Sequence, residues 1–299
     1  MMKKFLKPLS LLILFLAPVC LQAQQNQLRD QIAAIAKPAK GIVGVSILNL
    51  EDRDTLTYNG NARLVMHSVF KFPIALTVLH LVDSGIFKLD QTIHIKKRDI
   101  RKNTYSPLGD KYPNGDVDIS ISDLLSYMVS QSDNNACDIL LSKVVGNPEA
   151  VEDYLKRNGV KSIAISASEA DMASAWEVQY TNWCKPAAMT LLLDKFYSGK
   201  LLSKSSTDFL YKILTETTTG PNRMKALLPA GTIVAHKTGT SPTNAAGLSP
   251  ATNDVGIITL PNGKHLAVAI FVCNSTADEA TREGVIAKIA KAVWDTYAK

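Results

Sequence analysis

The chain predicts an α+β fold: one antiparallel sheet of about five strands, flanked by N- and C-terminal helices, with an all-helical region inserted between its two halves. Three observations predict it. Strand signals occur near the start, over residues 41–48, and return only after residue 231. Between residues 68 and about 215, apolar side chains recur mostly at helical spacing. A helical pattern then closes the chain, carrying Ile286, Ile289, Val293 and Trp294.

Residues 1–23 read as an export signal: Lys3, Lys4 and Lys7, a short apolar stretch from Leu11 to Val19, and a cleavage site at Leu21-Gln22-Ala23. The apolar stretch is short for a membrane span. Cys20 invites lipid attachment, but Pro18-Val19 fits such a site poorly, so the expectation is a periplasmic protein without stable membrane association. Residues 27–36 look helical, 41–48 form a buried strand, and Tyr58-Asn59-Gly60 closes a second strand. Ile74, Val78, Leu81 and Val82 share one helical face, and Pro73 sits early, where a missing N–H does least damage. Ser122 is the expected N-cap of a helix carrying Leu124, Leu125, Met128 and Val129. Further helices are expected over 135–145, 148–158 and 186–197, the last closed by Gly199. Strands follow over 232–236, 255–260 and 265–273, the last two joined by a turn at Pro261-Asn262-Gly263. Residues 24–65 and 216–299 therefore make the sheet domain, and 66–215 the helical domain.

The net charge of +6 falls to +3 without the three lysines of the leader. That mild excess, with no long basic run, argues against a nucleic-acid partner. Cys137, Cys184 and Cys273 remain. Their odd number leaves at least one thiol unpaired, and their spacing fits no zinc site, so they read as small buried hydrophobes. No metal and no cofactor is expected.

Three motifs occur in order: Ser68-Val69-Phe70-Lys71, Ser132-Asp133-Asn134 and Lys237-Thr238-Gly239-Thr240. Each alone is common. Together they supply what a serine nucleophile needs when no histidine is its base. Ser68 and Lys71, three apart, share a helical face. A lysine in a desolvated or electropositive site can take the serine proton. The N–H groups of Ser68, at a helix start, and of Thr240 would form an oxyanion hole. Ser132 can relay a proton to a leaving nitrogen, with Lys237 holding it electrostatically. Asn134 suits an amide of the substrate, and Gly239 lets ligand and backbone approach closely. His67 reads as packing behind the nucleophile, and His236 as part of the strand.

These motifs resemble the class A serine β-lactamases over nearly the whole mature length, and most of all the PER-like extended-spectrum branch. Phe72-Pro73, Tyr105-Ser106-Pro107, Pro186-Ala187-Ala188-Met189 and Leu228-Pro229-Ala230-Gly231 add to the resemblance. It implies the serine β-lactamase and penicillin-binding-protein fold, with Ser68 acylated by the β-lactam of penicillins and cephalosporins and water releasing the product. It implies a monomer whose partner is the small-molecule β-lactam, antibiotic resistance as the outcome, and Tyr105 at the substrate site. It also implies a deacylating glutamate ahead of Pro186: the family's spacing lands on Glu169, with Glu177 the competitor on the same loop. Arg223 matches an arginine facing the substrate carboxylate in that branch, with Thr238 and Thr240 as further donors to it. The family's asparagine four residues after the glutamate is Ala173 here, and its Arg–Asp loop tie is replaced by Ala167 and Asn182. Both departures fit the PER-like branch, where that loop is rearranged. A D,D-peptidase with the same acylating groups, or a non-catalytic penicillin-binding sensor domain, are the alternatives.

Overall fold

A computed structural model describes the backbone of residues 9–298 and the side chains of 23–298. The expected export signal over residues 1–23, with Cys20, falls outside these apart from helical backbone from Leu9. Among the described residues, no helix is long and apolar enough to cross a membrane.

The elements in chain order are α1 (Leu9–Ala36), β1 (Ile42–Asn49), β2 (Thr55–Tyr58), β3 (Leu64–Val65), α2 (Lys71–Asp83), β4 (Thr92–Ile95), α3 (Pro107–Lys111) and β5 (Val117–Ser120). Then come α4 (Ile121–Ser130), α5 (Asn134–Leu140), α6 (Pro148–Arg157), β6 (Ile163–Ala164), α7 (Glu169–Ser174), β7 (Trp183–Cys184) and α8 (Pro186–Tyr197). The chain ends with α9 (Lys204–Thr215), β8 (Val234–Thr240), β9 (Ser249–Thr259), β10 (His265–Ser275) and α10 (Glu279–Tyr297).

The main sheet has five strands in the order β2-β1-β10-β9-β8, all antiparallel, so the first and last parts of the chain build it together. Its strands obey the two-residue period. On β10, Leu266, Val268, Ile270 and Val272 face a core shared with α1 and α10, while Ala267, Ala269, Phe271 and Cys273 face the helical region. Both faces are covered, which is why seven of the eight β1 residues are buried. Cys137, Cys184 and Cys273 are buried and free.

Three expectations need correction. The inserted region is not all helical: it contains the β4–β5 pair and most of a three-stranded sheet, β3-β7-β6. These strands have two to four residues, too few to show a period. The cap of α4 is Ser120, whose Oγ accepts from Asp123 N (3.1 Å), and Ser122 lies inside the helix. Strand β9 begins at Ser249, six residues before the expected start, through Ser-Pro-Ala-Thr-Asn-Asp. Pro250, Asn253, Asp254 and, to a lesser degree, Ala251 disfavour strands. Here the polar groups of this stretch have partners: Asn253 Nδ2 donates to Val65 O (2.8 Å), and Arg282 Nε donates to Thr252 Oγ1 (2.8 Å).

Candidate active site

Ser68 stands in a 3-10 turn, His67–Phe70, that runs into α2. It is therefore just outside the α-helix expected to carry it. With three residues per turn, side chains at i and i+3 eclipse. Lys71 Nζ accordingly donates to Ser68 Oγ at 3.0 Å. His67 has φ 44°, a left-handed conformation that costs roughly 1–3 kcal/mol outside glycine. Its Nε2 lies 2.7 Å from Gln179 Oε1, and burial pulls its pKa down. His67 thus links the nucleophile turn to the loop that carries Glu169.

The Ser132-Asp133-Asn134 segment connects α4 to α5. Ser132 is also left-handed, φ 59°. Asp133 fixes the bend: fully buried, it accepts from Ala136 N (2.8 Å) as the cap of α5, from Leu108 N (2.6 Å) and from Ser106 Oγ (2.9 Å). Ser132 O and Asn134 Oδ1 then both face Lys71 Nζ, at 2.7 and 2.5 Å. Asn134 Nδ2 donates to Thr104 Oγ1 at 2.9 Å.

Strand β8 is an edge strand, and this exposes one row of its backbone groups. Ser241 N pairs inward with Ala251 O (2.9 Å), so the N–H of Thr240, one residue earlier, points outward. Lys237 Nζ donates to Ser132 Oγ (2.8 Å) and Thr238 O (2.9 Å). Full burial, and then the nearby charge of Lys71, pull the Lys237 ammonium well below its usual range. His236 is strand structure, buried with Nδ1 2.8 Å from Asp254 Oδ1.

Gly239 makes the close backbone approach expected of it, here to the turn that carries Ser68. A Cβ there would lie 2.4 Å from Met66 O and 3.2 Å from Val69 N, so glycine lets β8 approach the nucleophile turn. Gly239→Ala should therefore cost about 1–3 kcal/mol by overpacking. It should also lower kcat/KM by moving Thr240 N–H away from Ser68. Denaturant unfolding with initial-rate kinetics checks both, and unchanged kcat/KM would mean the two elements can separate harmlessly.

Glu169 opens α7, and its Oε1 lies 2.9 Å from Lys71 Nζ and 3.4 Å from Ser68 Oγ. The backbone N–H groups of Glu169 and Ala170 donate to Asp138 Oδ1 and Oδ2 (2.8 and 3.0 Å). Burial, and then the charge of Glu169, push the Asp138 carboxyl up to about 6. Glu177 is exposed on the 3-10 turn Trp176–Thr181, and Ala173 is also exposed.

Asn182, read in the sequence only as a missing acid, ties this loop. Fully buried, its Oδ1 accepts from Ser166 N (2.8 Å) and Ala167 N (3.0 Å), and its Nδ2 donates to Ala167 O (2.8 Å). A neutral amide thus does work that the Arg–Asp pair does elsewhere. Asp138 was missed because nothing in its neighbourhood in sequence marks it as special, and Asn182 was placed at the loop tie by resemblance alone.

Arg223 is buried, its Nε on Glu283 Oε1 (3.0 Å) and its Nη1 on Gly239 O (3.2 Å) and Asn253 O (3.1 Å). Its Nη2 donates to Thr240 Oγ1 at 2.7 Å, leaving one N–H uncommitted. Thr238 Oγ1 lies 2.5 Å from Thr219 Oγ1. A cavity of about 830 Å³ joins Ser68, Tyr105, Ser132, Asn134, Arg223 and Thr240. A second, of about 390 Å³, lies between the Glu169 loop and the end of β8 and is lined by His67, Glu169, Met172, Trp176 and Pro242.

Residues 27–297 match the model of the β-lactamase enzyme family. The chain is 45% identical over 291 residues to the β-lactamase VEB-1 of Pseudomonas aeruginosa, covering 97% of this chain and 96% of that protein. It is 42% identical over 277 residues to the extended-spectrum β-lactamase PER-1 of the same species, covering 93% and 89%. Among solved structures it is similar to a β-lactamase from Chitinophaga pinensis DSM 2588, with 52% identity and a TM-score of 0.88 over 90% of this chain and 98% of that one. The chain belongs to the β-lactamase enzyme family. Its activity is that of a class A enzyme, a hydrolase of β-lactams that confers antibiotic resistance.

Proposed function

We propose that this enzyme hydrolyses penicillins and cephalosporins through an acyl-enzyme on Ser68, with Glu169 activating the water that releases the product. The observation that carries this reading is the position of Ser68 Oγ, 3.0 Å from Lys71 Nζ and 3.4 Å from Glu169 Oε1. The Lys71–Glu169 pair receives the serine proton as Oγ attacks the lactam carbonyl carbon. The carbonyl oxygen sits between the N–H groups of Ser68 and Thr240, where fixed donors stabilise developing charge. The C–N bond then breaks. Ser132 Oγ accepts a hydrogen bond from Lys237, so its own proton is free to pass to the leaving nitrogen, and the proton taken from Ser68 replaces it, leaving Glu169 ionised for the next step. Water enters opposite Glu169, the ester bond breaks, and Ser68 is regenerated. Asn134, Tyr105, Thr238, Thr240 and Arg223 position the substrate, the last three at its carboxylate.

The smaller cavity beside Met172 and Trp176 supports acceptance of bulky cephalosporin side chains, in line with the PER-like resemblance. The enzyme acts as a monomer in this reading, because Ser68, Lys71, Ser132, Glu169 and Lys237 already meet within a single chain. The basic, then apolar leader supports export to the periplasm with removal of residues 1–23. The sheet and helical domains contribute from opposite sides of the cleft, with 24–65 and 216–299 carrying β8 and 66–215 carrying Ser68, Ser132 and Glu169.

The test is acid quenching during turnover of a chromogenic cephalosporin, followed by peptide mass spectrometry. The expected result is rapid multiple turnover, with the substrate-derived mass increment on the peptide containing Ser68. An increment on another peptide overturns the assignment of the nucleophile. A stable adduct without turnover favours the D,D-peptidase alternative.

A further inference from the structure

We propose that the basic loop ahead of Tyr105 is an electrostatic guide that speeds capture of anionic β-lactams and favours those with more negative charge. Residues 96–102 carry five basic side chains, Lys96, Lys97, Arg98, Arg101 and Lys102, against one acid. That acid, Asp99, is taken by Lys143. Arg101 lies 3.8 Å from Asp138. The other four are exposed, and among the described residues none of them forms an ion pair. The nearest other acids in sequence are Asp90, Asp110, Asp116 and Asp118, all outside the loop; Asp116 and Asp118 lie 3.7 and 3.1 Å from His94, and Asp90 and Asp110 are exposed.

The loop is firmly mounted on the catalytic groups. Arg101 N donates to Asn135 Oδ1 (3.0 Å), and Asn135 Nδ2 donates back to Arg101 O (3.2 Å). Asn134 N donates to Tyr105 O (3.1 Å), and its side chain holds Thr104. Lys102 is three residues before Tyr105, which lines the large cavity. Backbone dimensions keep their Cα atoms within about 11 Å. That is close to the screening length of ~8–10 Å at physiological ionic strength. Glu279 lines the same cavity, so the attraction is one-sided and draws substrate in past Tyr105. The pull acts before contact. It therefore raises kcat/KM and leaves kcat alone, and salt removes it.

The test compares Lys97→Glu/Lys102→Glu with Lys200→Glu/Lys204→Glu in the mature enzyme. All four lysines are exposed, and both pairs change the charge equally. The control pair flanks Ser203, which holds Asp83 at the far end of α2. At the helical rise this end lies about 18 Å from Lys71. At low ionic strength, the loop variant should lose about tenfold in kcat/KM for a dianionic carboxy-penicillin. Its kcat should hold, a zwitterionic penicillin should change by less than about twofold, and high salt should abolish the difference. The control should stay near wild type. Equal loss for both substrates, a loss that persists in salt, or no loss overturns the proposal. So does weaker binding to anionic phospholipid vesicles with unchanged kinetics, which would make the loop a membrane contact. Wild-type turnover in high salt stands apart from all these outcomes, so β-lactam hydrolysis itself is not at stake.

Discussion

Glu169→Gln should convert the enzyme into one that acylates and then stalls. The substitution keeps the shape of the side chain and removes its basicity. The amide can still lie beside Lys71, now without the 2.9 Å ion pair, but it cannot accept a proton from water. A lost general base costs typically 10²–10⁴-fold, so turnover should fall by about 10³-fold. Formation of the ester should be affected less, because Lys71 still stands 3.0 Å from Ser68 Oγ. Mass spectrometry of the intact protein should then find a persistent mass increment where wild type has a transient one. Glu177→Gln should behave as wild type, since Glu177 is exposed on its turn. Normal turnover by the Glu169 variant, with loss in the Glu177 variant, would transfer the role.

Asn182→Ala should be strongly destabilising although the side chain makes no contact with Ser68 or Lys71. The side chain satisfies two backbone N–H groups and one carbonyl at Ser166 and Ala167. Each buried group left without a partner costs about 1–3 kcal/mol. Allowing for some water entry, the loss should be about 3–4 kcal/mol. Because these residues lead directly into Ser168 and Glu169, kcat should fall along with stability. Asn182→Asp should recover only part, since a carboxylate accepts from both N–H groups but cannot donate to Ala167 O. Chemical denaturation of the three proteins, with kcat for each, checks the argument. An alanine variant within 1 kcal/mol of wild type, in order-of-magnitude terms, would mean the loop is held elsewhere.

Much of the fold is legible because its signals are local. The α2 face repeats at helical spacing, α8 is bounded by Pro186 and Gly199, and the turn at Pro261-Asn262-Gly263 sets the β9–β10 hairpin. The failures are local signals that tertiary contacts overrode. The polar start of β9 is a strand because Val65, Arg282 and the rest of the sheet satisfy it. The short strands of the helical region have too few residues to show any period. The three motifs were readable for another reason: each is a short run of particular side chains, and together they match the signature set of the class A serine β-lactamases.

Read alone, then, the amino-acid pattern carried the class of fold, through residue type and short-range spacing, and resemblance to the family's motifs singled out Ser68, Lys71, Ser132 and Lys237 as the proposed reactive groups. A count of positions in the family placed the deacylating carboxylate at Glu169, with Glu177 as competitor. Only the folded arrangement shows that Glu169 meets Lys71, that Asn182 ties the loop, that the backbone approached at Gly239 is that of Met66 and Val69, and that Arg223 is held by Glu283. Those outcomes depend on contacts between atoms far apart along the chain, such as Ser68 with Glu169, 101 positions away. No local pattern encodes such contacts; they arise only when the two cores close on either side of the sheet.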